Sequence, residues 1–358
     1  MKNLIVEPLL LKKVTQDIFT KVGLSPEDAQ IAADVLVTTE MRGVSSHGVM
    51  RVEKYIDSIL GGGIDPQASL KVIREGNNWS LFDACRGLGL VASYRAMEHT
   101  IALARKNTIA FSLVRNSRHF GAAGYYTNLC SKAGMIGMAM SNGDIIMAVT
   151  GAKESSIGNN PFAFGAPAGK RGPITLDMAM SKLSDGKIQI ARLKGEELPS
   201  ESILDSQGNP SLIPQDYFDG GTLLPFGGHK GYGLALMVEI LAALLSGSSL
   251  LKEARAWNRE EGDPRGVGHF FLAIDYTQIV DQEAYNQRIE ALIEELKGAT
   301  PQSGVDEIYY PGELENIQEE ISRSKGVELL PDNFDSLQRA AQRVALNFNM
   351  EELVNVRK

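Results

Sequence analysis

Cysteine is scarce in this sequence, and its scarcity excludes two classes of protein. Among 358 residues only Cys85 and Cys130 are present, too few for a disulfide framework or a zinc site built from cysteines. Both are expected to be buried as small hydrophobic residues in a reducing compartment, which predicts a cytoplasmic protein. A signal peptide is not predicted, because Glu7 interrupts the apolar start of the chain and no small-residue cleavage site follows.

Basic residues are fewer than acidic ones, and long hydrophobic runs are also rare. Lysine and arginine number 36 against 44 acidic residues, a formal charge of −8, and no basic run is present. Nucleic acids and anionic membranes are therefore not expected as partners, whereas local positive sites for small anions remain open. The longest apolar run, residues 234–245, contains Glu239 and is shorter than the roughly 20 residues that span a bilayer. We expect a core helix there.

Length and composition indicate a globular protein with more than one domain. At 358 residues the chain is too long for one ordinary core, so two or three interlocked domains are expected. Hydrophobic residues at 43% and charged residues at 22% give a balance that is typical of folded chains rather than disordered ones.

The first part of the chain carries helix signals. Ser25 is a capping residue, and Pro26 and two acids follow it in the first turn of a helix that runs to about Met41. A second helix is predicted to start after His47 and to end at the three glycines of residues 61–63. Two helices therefore meet at the segment that contains His47.

From about residue 70 the pattern changes to short apolar runs typical of strands, which alternate with further helices. The sequence thus predicts an α/β or α+β fold. Strands are predicted at residues 70–73, 79–82, 110–114 and 136–141 and as a pair over 162–179 around the turn 169–172; helices are predicted at residues 92–106, 282–297, 314–324 and 334–348.

A glycine pattern at residues 87–92 imitates a dinucleotide-binding fingerprint. It fits G-x-G-x-x-A between a strand-like run and a helix. The next strand ends in Arg115 and Asn116, however, and no acidic residue stands about 20 positions beyond the glycines to hold a ribose. We therefore predict that any nucleotide is held by another architecture.

His47, Arg51 and Tyr55 are spaced by four residues. At about 100° per residue, a helix would place all three within a sector of roughly 80°. An imidazole, a guanidinium and a phenol on one face suit the reduction of a 2-oxo acid, which needs a cation for the carboxylate and a proton donor for the carbonyl oxygen. The alternative is structural: Arg51 pairs with Glu53 or Asp57 and His47 only caps the helix.

His119 is the second candidate acid–base group. It lies in a polar strand end that passes through small residues into a helix, where a ligand can approach closely. His99 and His269 stand in a helix and in an apolar run, and both are expected to be structural. The histidines and acids show none of the close spacings of a zinc or calcium site, so no metal ion is predicted.

Two further segments have ligand-binding character. His229 and Lys230 lie between glycines ahead of the apolar run, which suits a phosphate or dinucleotide; an ordinary helix-entry turn is the alternative. Asp177 interrupts an apolar strand, and a buried carboxylate there needs either a ligand or a satisfied turn. A serine hydrolase built on Ser45 or Ser46 is the rival class, but no G-x-S-x-G elbow is present.

Six blocks follow one another along the chain: MRGVSSHG at 41–48, NSRHFG at 116–121, NNPFAFGAP at 159–167, LDMA at 176–179, HKGYGL at 229–234 and YPGE at 310–313. Together they resemble the type-2 malate/L-lactate dehydrogenase family, which also includes ureidoglycolate dehydrogenase, sulfolactate dehydrogenase, diketogulonate reductase and cyclic imino acid reductases. The resemblance covers nearly the whole chain.

The resemblance implies a fold and an assembly. We expect a non-Rossmann cofactor domain with a largely antiparallel sheet, a helical domain made from both chain ends, and a homodimer with its active site between domains. On this basis residues 1–75 and 311–358 are assigned to the helical domain, 76–120 and 225–310 to a central α/β domain, and 121–224 to the cofactor-binding sheet domain.

The resemblance also implies roles on the substrate side. His47 and His119 match the two histidines that have acid–base roles in different members, and Ser46, Arg51 and Tyr55 match substrate contacts. A helix N-terminus at His47 would lower its imidazole pKa and favour a neutral base over a charged donor. This favours His119 as the group that exchanges the proton.

On the cofactor side the resemblance implies contacts from seven residues and from one glycine. Gly143 matches a position where some members carry a cofactor-binding serine, so only its backbone could contribute. NAD is predicted, with NADP as the alternative, because Lys182 could meet a 2′-phosphate but Asp185 stands close by. The seven residues are Asp177, Met178, Ala179, His229, Lys230, Gly312 and Glu313.

The function implied is hydride transfer between NAD(P) and a small 2-hydroxy or 2-oxo acid, with a small carboxylate as the substrate. Malate, lactate or a similar acid is the leading substrate. Ureidoglycolate is the second candidate and a cyclic imine the third. A non-enzymatic binding protein on the same scaffold is the remaining class.

Overall fold

The computed structural model describes residues 4–257 and 260–347. The helices among them are α1 (Pro8–Lys21), α2 (Pro26–Met41), α3 (Val52–Leu60), α4 (Gly89–Asn107), α5 (Ala123–Lys132), α6 (Asp185–Lys194), α7 (Pro214–Phe218), α8 (His229–Val238), α9 (Gln282–Lys297), α10 (Glu313–Lys325) and α11 (Pro331–Arg343). The strands are β1 (Leu4–Val6), β2 (Lys71–Glu75), β3 (Trp79–Asp83), β4 (Ile109–Ser117), β5 (Ile136–Ser141), β6 (Ile145–Ala148), β7 (Ser155–Gly158), β8 (Phe162–Ala168), β9 (Arg171–Met178), β10 (Ile203–Leu204), β11 (Pro210–Ser211), β12 (Thr222–Leu223), β13 (Val267–Ile274) and β14 (Val327–Leu329).

Both ends of the described chain pack together. β1 pairs antiparallel with β14, and Leu4 lies opposite Leu329. α2 begins as predicted, because the Ser25 hydroxyl accepts the backbone N–H of Asp28 and Pro26 occupies the first turn. α11 packs on α3 and the turn before it, and its Ser336 hydroxyl donates to the Met50 carbonyl. The N-terminal and C-terminal helices therefore bury apolar side chains in one core.

The main sheet has seven described strands in the order β2-β3-β4-β13-β5-β8-β9. β3 and β4 are parallel and are joined by α4, whereas the other five neighbouring pairs are antiparallel. β8 and β9 form the hairpin predicted over 162–179, with Ala163 opposite Asp177. The sheet takes strands from all three predicted segments of the chain, so the division into three domains stays a prediction.

A second sheet has five described strands in the order β11-β10-β12-β6-β7. Its strands are short, and α6 and α7 pack against each other beside it. The predicted mixture of helices and strands is confirmed: α9 has the predicted bounds, and α4 starts three residues before the predicted position. Of the predicted helix at 334–348, Pro331–Arg343 is helical, and residue 348 lies outside the described residues.

The apolar run at residues 234–245 does not form the expected core helix. α8 ends at Val238 and continues as a π-helical turn, Glu239–Leu244. Five of its large apolar side chains are exposed, with Leu244 at 58%. The prediction was wrong because an apolar run indicates burial without saying whether the same chain provides the cover. The five are Leu234, Leu236, Ile240, Leu244 and Leu245.

Two other expectations concern cysteine burial and membranes. Cys130 is buried as predicted, but Cys85 is only half-buried, because it occupies a turn with a positive φ after β3. In the described part of the chain, no helix has both the length and the apolar character needed to cross a bilayer.

Candidate active site

The sequence predicted an α-helix that starts after His47, but residues 45–51 do not form one. Ser45–His47 and Val49–Arg51 are two short 3₁₀ turns, and α3 begins only at Val52. Gly48 separates the two turns with an extended ψ of −145°, which interrupts the helical path. His47 therefore has no α-helix N-terminus beside it. Its pKa is nevertheless lowered, to about 4, because burial disfavours the charged ring and Arg51 adds positive charge.

The structure brings together four of the five side chains that were predicted to act on the substrate; the fifth, Ser46, is described below. The rings of His47 and His119 stack with their centroids 5.6 Å apart and an interplanar angle of 21°. Tyr55 is fully buried, and its hydroxyl lies 2.7 Å from Nδ1 of His119. Arg51 precedes α3 on the same side and perturbs the pKa of both histidines. Two chain segments more than 60 residues apart thus form one cluster.

The His119 ring is held between two aromatic neighbours. Trp257 stacks on it at 4.3 Å, and His47 stacks on it at 5.6 Å. The Trp257 ring also contacts Tyr55 and lies beneath the ammonium group of Lys54. The sequence-based prediction missed Trp257, because its loop has no periodic pattern. Its one sequence signal is that a tryptophan stands in a loop of small and charged residues.

The hydrogen bonds of His119 define its tautomer. The backbone N–H of Gly121 donates to Nδ1 over 3.3 Å, and the Tyr55 hydroxyl can donate to the same atom. An Nδ1 that accepts hydrogen bonds leaves the ring proton on Nε2. Burial holds the pKa of His119 well below its usual value, and the charges of His47, Arg51 and Lys54 lower it further. The ring is therefore neutral near pH 7.

Arg51 does not form an ion pair with Glu53 or Asp57, as the structural alternative required. Glu53 pairs with Arg339 at 2.9 Å, and Asp57 pairs with Arg343. The Nε of Arg51 donates to the Ser46 carbonyl over 2.7 Å, and no carboxylate of the described residues lies within ion-pair distance of its guanidinium. Burial lowers the pKa of Arg51, whereas the charges of Tyr55 and Asp185 raise it. A partly buried cation without a carboxylate partner favours an anionic ligand.

Ser46 joins the cluster through two contacts. Its hydroxyl lies 3.0 Å from Nδ1 of His47, and its carbonyl accepts from Arg51. The start of α6 covers it, since a Cβ added at Gly186 would lie 3.4 Å from the Ser46 Cβ. Asp185 is thus placed toward Arg51, on the substrate side. Lys182, weighed with it for a 2′-phosphate, donates to the Ser200 carbonyl.

Asp177 was expected to be buried, and that expectation was wrong. Its side chain is exposed at the end of β9, because the last residues of this edge strand have no further strand beside them. One carboxylate oxygen accepts the backbone N–H of Gly124 at the start of α5 over 2.8 Å. The surrounding protein still removes enough water to raise the pKa of Asp177 to about 6. The carboxylate is therefore fixed in place and accessible.

The other predicted cofactor residues meet around the same end of β9. The Phe226 N–H donates to the carbonyl of Met180, which brings the turn before His229 and Lys230 beside Met178 and Ala179. Both His229 and Lys230 are exposed.

The block at 310–313 reaches β9 from the other side. The Thr175 N–H donates to the Pro311 carbonyl, and a Cβ at Gly312 would lie 2.8 Å from the Thr175 nitrogen. Gly312 has a φ of +88° and permits this close approach. Glu313 is engaged within the fold, because it pairs with Lys297 at 2.6 Å and accepts the Tyr310 N–H.

Gly143 follows β5, and its backbone packs against Gly158, where an added Cβ would lie 2.9 Å from the Gly143 carbonyl oxygen. No atom of a non-adjacent residue lies within 4 Å of a Cβ added at Gly143 itself, so a small side chain there would have space. The neighbouring Asp144 accepts the N–H of Ala256 over 3.0 Å, which anchors the loop that carries Trp257. This side of the site is thus linked to His119 through Trp257.

The two histidines expected to be structural have structural contacts. His99 lies 2.9 Å from the Ser80 hydroxyl. His269 is fully buried between the hydroxyls of Ser141 and Ser117, and burial lowers its pKa to about 3. Among the described residues, no group of three histidines, cysteines or acids is placed to hold a metal ion.

The glycine pattern at residues 87–92 has a packing role. A Cβ added at Gly89 would lie 2.1 Å from the Arg118 carbonyl oxygen and 2.4 Å from that of His119. The first turn of α4 therefore packs directly on the backbone that carries His119. This close packing explains why a glycine stands at residue 89 without invoking a bound phosphate.

The chain is similar in sequence and in structure to known proteins. The family model described as malate/L-lactate dehydrogenase matches residues 6–338. Malate dehydrogenase of Pyrococcus abyssi is 39% identical over 336 residues, with 92% of each chain covered. Ureidoglycolate dehydrogenase (NAD(+)) of Escherichia coli strain K12 is 30% identical over 327 residues, with 91% of this chain and 93% of the relative covered. The solved structure of malate dehydrogenase from Pyrococcus horikoshii OT3 has a TM-score of 0.88 and 35% identity, with 97% of each chain covered.

These matches extend over nearly the whole length of the chain and of the relatives named above, and each of those relatives is named as a dehydrogenase. The prediction of an oxidoreductase for 2-hydroxy acids is therefore confirmed. The chain belongs to the malate/L-lactate dehydrogenase family.

Proposed function

We propose that this dehydrogenase interconverts a small 2-hydroxy acid of the malate or lactate type and its 2-oxo acid, with NAD as the cofactor and His119 as the group that exchanges the proton. The observation that carries the proposal is the cluster of His119, Tyr55 and Arg51, in which a neutral imidazole and a guanidinium without a carboxylate partner face the same site.

Arg51 binds the substrate carboxylate in this proposal. Its Nε is fixed on the Ser46 carbonyl, which leaves the terminal nitrogens for a bidentate contact. Such a contact aligns C2 of the substrate and excludes water from the guanidinium. The hydroxyl of Ser46, which lies close to His47, is available to the same ligand.

His119 exchanges the proton with the C2 oxygen through Nε2. Tyr55 holds the opposite edge of the ring, and its hydroxyl can accept from Nδ1 when the ring is protonated or donate when it is not. Reduction needs the protonated ring. A bound carboxylate beside Arg51 offsets the positive charge that lowers the His119 pKa, so the substrate favours uptake of the proton. His47 orients the substrate and the His119 ring.

The cofactor supplies or accepts the hydride. Residues at the exposed end of β9 fit such a group: Asp177, Met178 and Ala179 suit a ribose, and His229 and Lys230, after two glycines with positive φ, suit a phosphate. Gly143 leaves space for a close approach of the ligand. Gly312 and Glu313 contribute through the backbone, since the Glu313 carboxylate is engaged with Lys297. We propose that this arrangement is a non-Rossmann cofactor domain.

We propose NAD over NADP for two reasons. The lysine best placed in sequence to meet a 2′-phosphate, Lys182, makes a hydrogen bond to the Ser200 carbonyl. One relative is named as using NAD(+).

We also propose a homodimer in the cytoplasm. The exposed apolar side chains of α8 and the following turn, including Leu236, Ile240 and Leu244, form a surface that a second copy would cover. Two unpaired cysteines suit a reducing compartment. The three-part division of the chain into helical, central and cofactor-binding domains is retained as part of the proposal.

Ureidoglycolate is the second candidate, since one relative is named for that substrate. A cyclic imine is the third, because a neutral histidine beside a carboxylate-binding arginine also suits a cyclic imino acid. A serine hydrolase lacks support, because no carboxylate of the described residues is hydrogen-bonded to His47 or His119.

One assay tests the proposal. NADH or NADPH is mixed with oxaloacetate, pyruvate and cyclic imines, and the loss of cofactor absorbance is followed. We expect turnover with NADH and a 2-oxo acid, and none with the His119→Gln variant above a hundredth of the wild-type rate. Turnover restricted to imines would contradict the proposed substrate, and no turnover with any of them would contradict the proposed reaction.

A further inference from the structure

Glu40 is a buried carboxylate that the proposed reaction does not use. It stands one residue before the end of α2, and its side chain is 3% exposed. One oxygen, Oε2, accepts the backbone N–H of Val49 over 2.9 Å. The other, Oε1, accepts the side-chain amide of Asn333 on α11 over 3.2 Å. Glu40 therefore links the segment that carries His47 and Arg51 to the C-terminal helix.

Gly48 adds an independent geometric observation. A Cβ at this position would lie 2.0 Å from Oε2 of Glu40 and 2.9 Å from its carboxyl carbon. The φ of Gly48 is −88°, which any residue can adopt. A side chain at residue 48 is thus excluded by the Glu40 carboxylate and not by the φ of the backbone. The segment Ser46-His47-Gly48 therefore packs directly on the Glu40 carboxylate.

Neutral donors alone hold this carboxylate in the described part of the chain. Burial raises the pKa of Glu40 to about 7, and hydrogen bonds from Ser45, Val49 and Asn333 lower it only in part. Four ionisable side chains on the neighbouring segments do not contribute to this pKa: Arg42 directly after α2, His47 and Arg51 on the site segment, and Asp332 on α11.

We propose that Glu40 is a positioning residue for the reaction: its carboxylate fixes the turn at Gly48 and Val49, and so sets where His47 and Arg51 meet the substrate. The inference rests on the proposed function for its kinetic consequence, but not for its structural one. Val49 and Asn333 donate to different oxygens of Glu40, and a glutamine replaces one of these oxygens by an NH2 donor, so in this geometry it can accept from only one of the two.

The structural consequence is measured by hydrogen exchange of the wild-type protein and of Glu40→Gln. We expect the protection factor of the segment 44–51 to fall about tenfold in Glu40→Gln, the loss that one buried hydrogen bond represents. In the wild type the same factor should fall between pH 8 and pH 6, because a protonated carboxyl group also loses an acceptor. The variant should show no such change with pH.

The matched control is Glu53→Gln. Glu53 also faces α11, where it pairs with Arg339 and Ser336, but among the described residues its side chain makes no hydrogen bond to residues 44–49. Its variant should keep the protection factor of segment 44–51 within twofold of the wild type. This readout needs no turnover, so it separates failure of the positioning role from failure of the proposed function.

The kinetic consequence is a rise in the KM of the 2-oxo acid in Glu40→Gln, about tenfold, with a smaller change in kcat and no change in Glu53→Gln. Wild-type protection and wild-type KM in a folded Glu40→Gln would overturn the proposal. If Glu40→Gln does not fold, the Gly48→Ala variant tests the proposal instead, because its added Cβ must displace the Glu40 carboxylate. The same losses are expected there, and wild-type protection of 44–51 in Gly48→Ala would equally overturn the proposal.

Discussion

The two sides of the candidate active site differ in how much of their structure exists before any ligand binds. On the substrate side, Tyr55 is fully buried, His119 is held between two rings, and Arg51 and Ser46 are joined by a hydrogen bond. On the cofactor side, Asp177, His229 and Lys230 are exposed, and a small side chain added at Gly143 would have space.

This difference has a physical reason. Proton exchange needs one atom at a defined distance, so its group must be fixed by neighbours. A dinucleotide instead makes many separate contacts, and each of them can form as the ligand arrives. We therefore expect changes on the substrate side to have large effects on turnover, and changes on the cofactor side to have small ones.

The largest effect is expected from Arg51→Leu. The variant removes the cation that binds the substrate carboxylate and leaves that carboxylate unpaired, which should lower kcat/KM about 10²–10³-fold, mainly through KM. Steady-state kinetics over a range of 2-oxo acid concentrations measures it. Arg339→Leu, which removes a surface arginine that pairs with Glu53, is the control. A near-normal kcat/KM in Arg51→Leu would contradict the proposal that Arg51 binds the substrate carboxylate.

The pH dependence should be nearly as large. The pKa of His119 is lowered, chiefly by burial, so the ring is neutral over pH 6–8 and reduction must take up a proton. The kcat/KM of reduction should therefore fall about tenfold per pH unit as the pH rises through this range, whereas that of alcohol oxidation should stay level. A reduction rate independent of pH between 6 and 8 would show that His119 does not supply the proton.

Tyr55→Phe should have an intermediate effect. The variant keeps the ring contacts with Trp257 and His119 but removes the hydroxyl 2.7 Å from Nδ1. Loss of that hydrogen bond should lower kcat about tenfold, with less change in KM. An unchanged kcat would mean that Trp257 and His47 alone hold the His119 ring.

The smallest effect is expected from Gly143→Ala. Its added methyl group meets no atom within 4 Å, so stability and the KM of NADH should change less than about twofold. Thermal unfolding and NADH titration measure both. A tenfold rise in the KM would show that the cofactor approaches this backbone more closely than proposed, and the contrast between the two sides would then weaken.

Much of the fold follows from local signals. Ser25 and Pro26 mark the start of α2, and the polar start of α9 coincides with its predicted bound. The turn predicted at 169–172 includes the two residues, 169 and 170, that separate β8 from β9. Short-range patterns sufficed because short-range contacts decide these elements. The spacing of His47, Arg51 and Tyr55 predicted one helix face, which was wrong because the first two residues lie in 3₁₀ turns before α3. His47 and Tyr55 nevertheless meet, through their contacts with His119.

The remaining features depend on contacts between distant segments. Only the family resemblance assigned His119 and Tyr55 to one site, and the contact between them was not predicted. Trp257 and Glu40 carried no signal that pointed to the site. The exposed face of α8 could not be distinguished from a core helix, because an apolar run does not tell which chain covers it. Asp177 was misjudged for a similar reason, since edge and central strands share one pattern.

The most direct test of the account compares His119→Gln with His47→Gln in single-turnover hydride transfer, with each variant saturated with NADH and substrate. We predict that His119→Gln lowers the rate about 10²–10⁴-fold and that His47→Gln lowers it less, because His119 exchanges the proton and His47 orients the substrate. If neither variant lowered the rate tenfold, or if His47→Gln were the slower, the assignment of the proton to His119 would be contradicted.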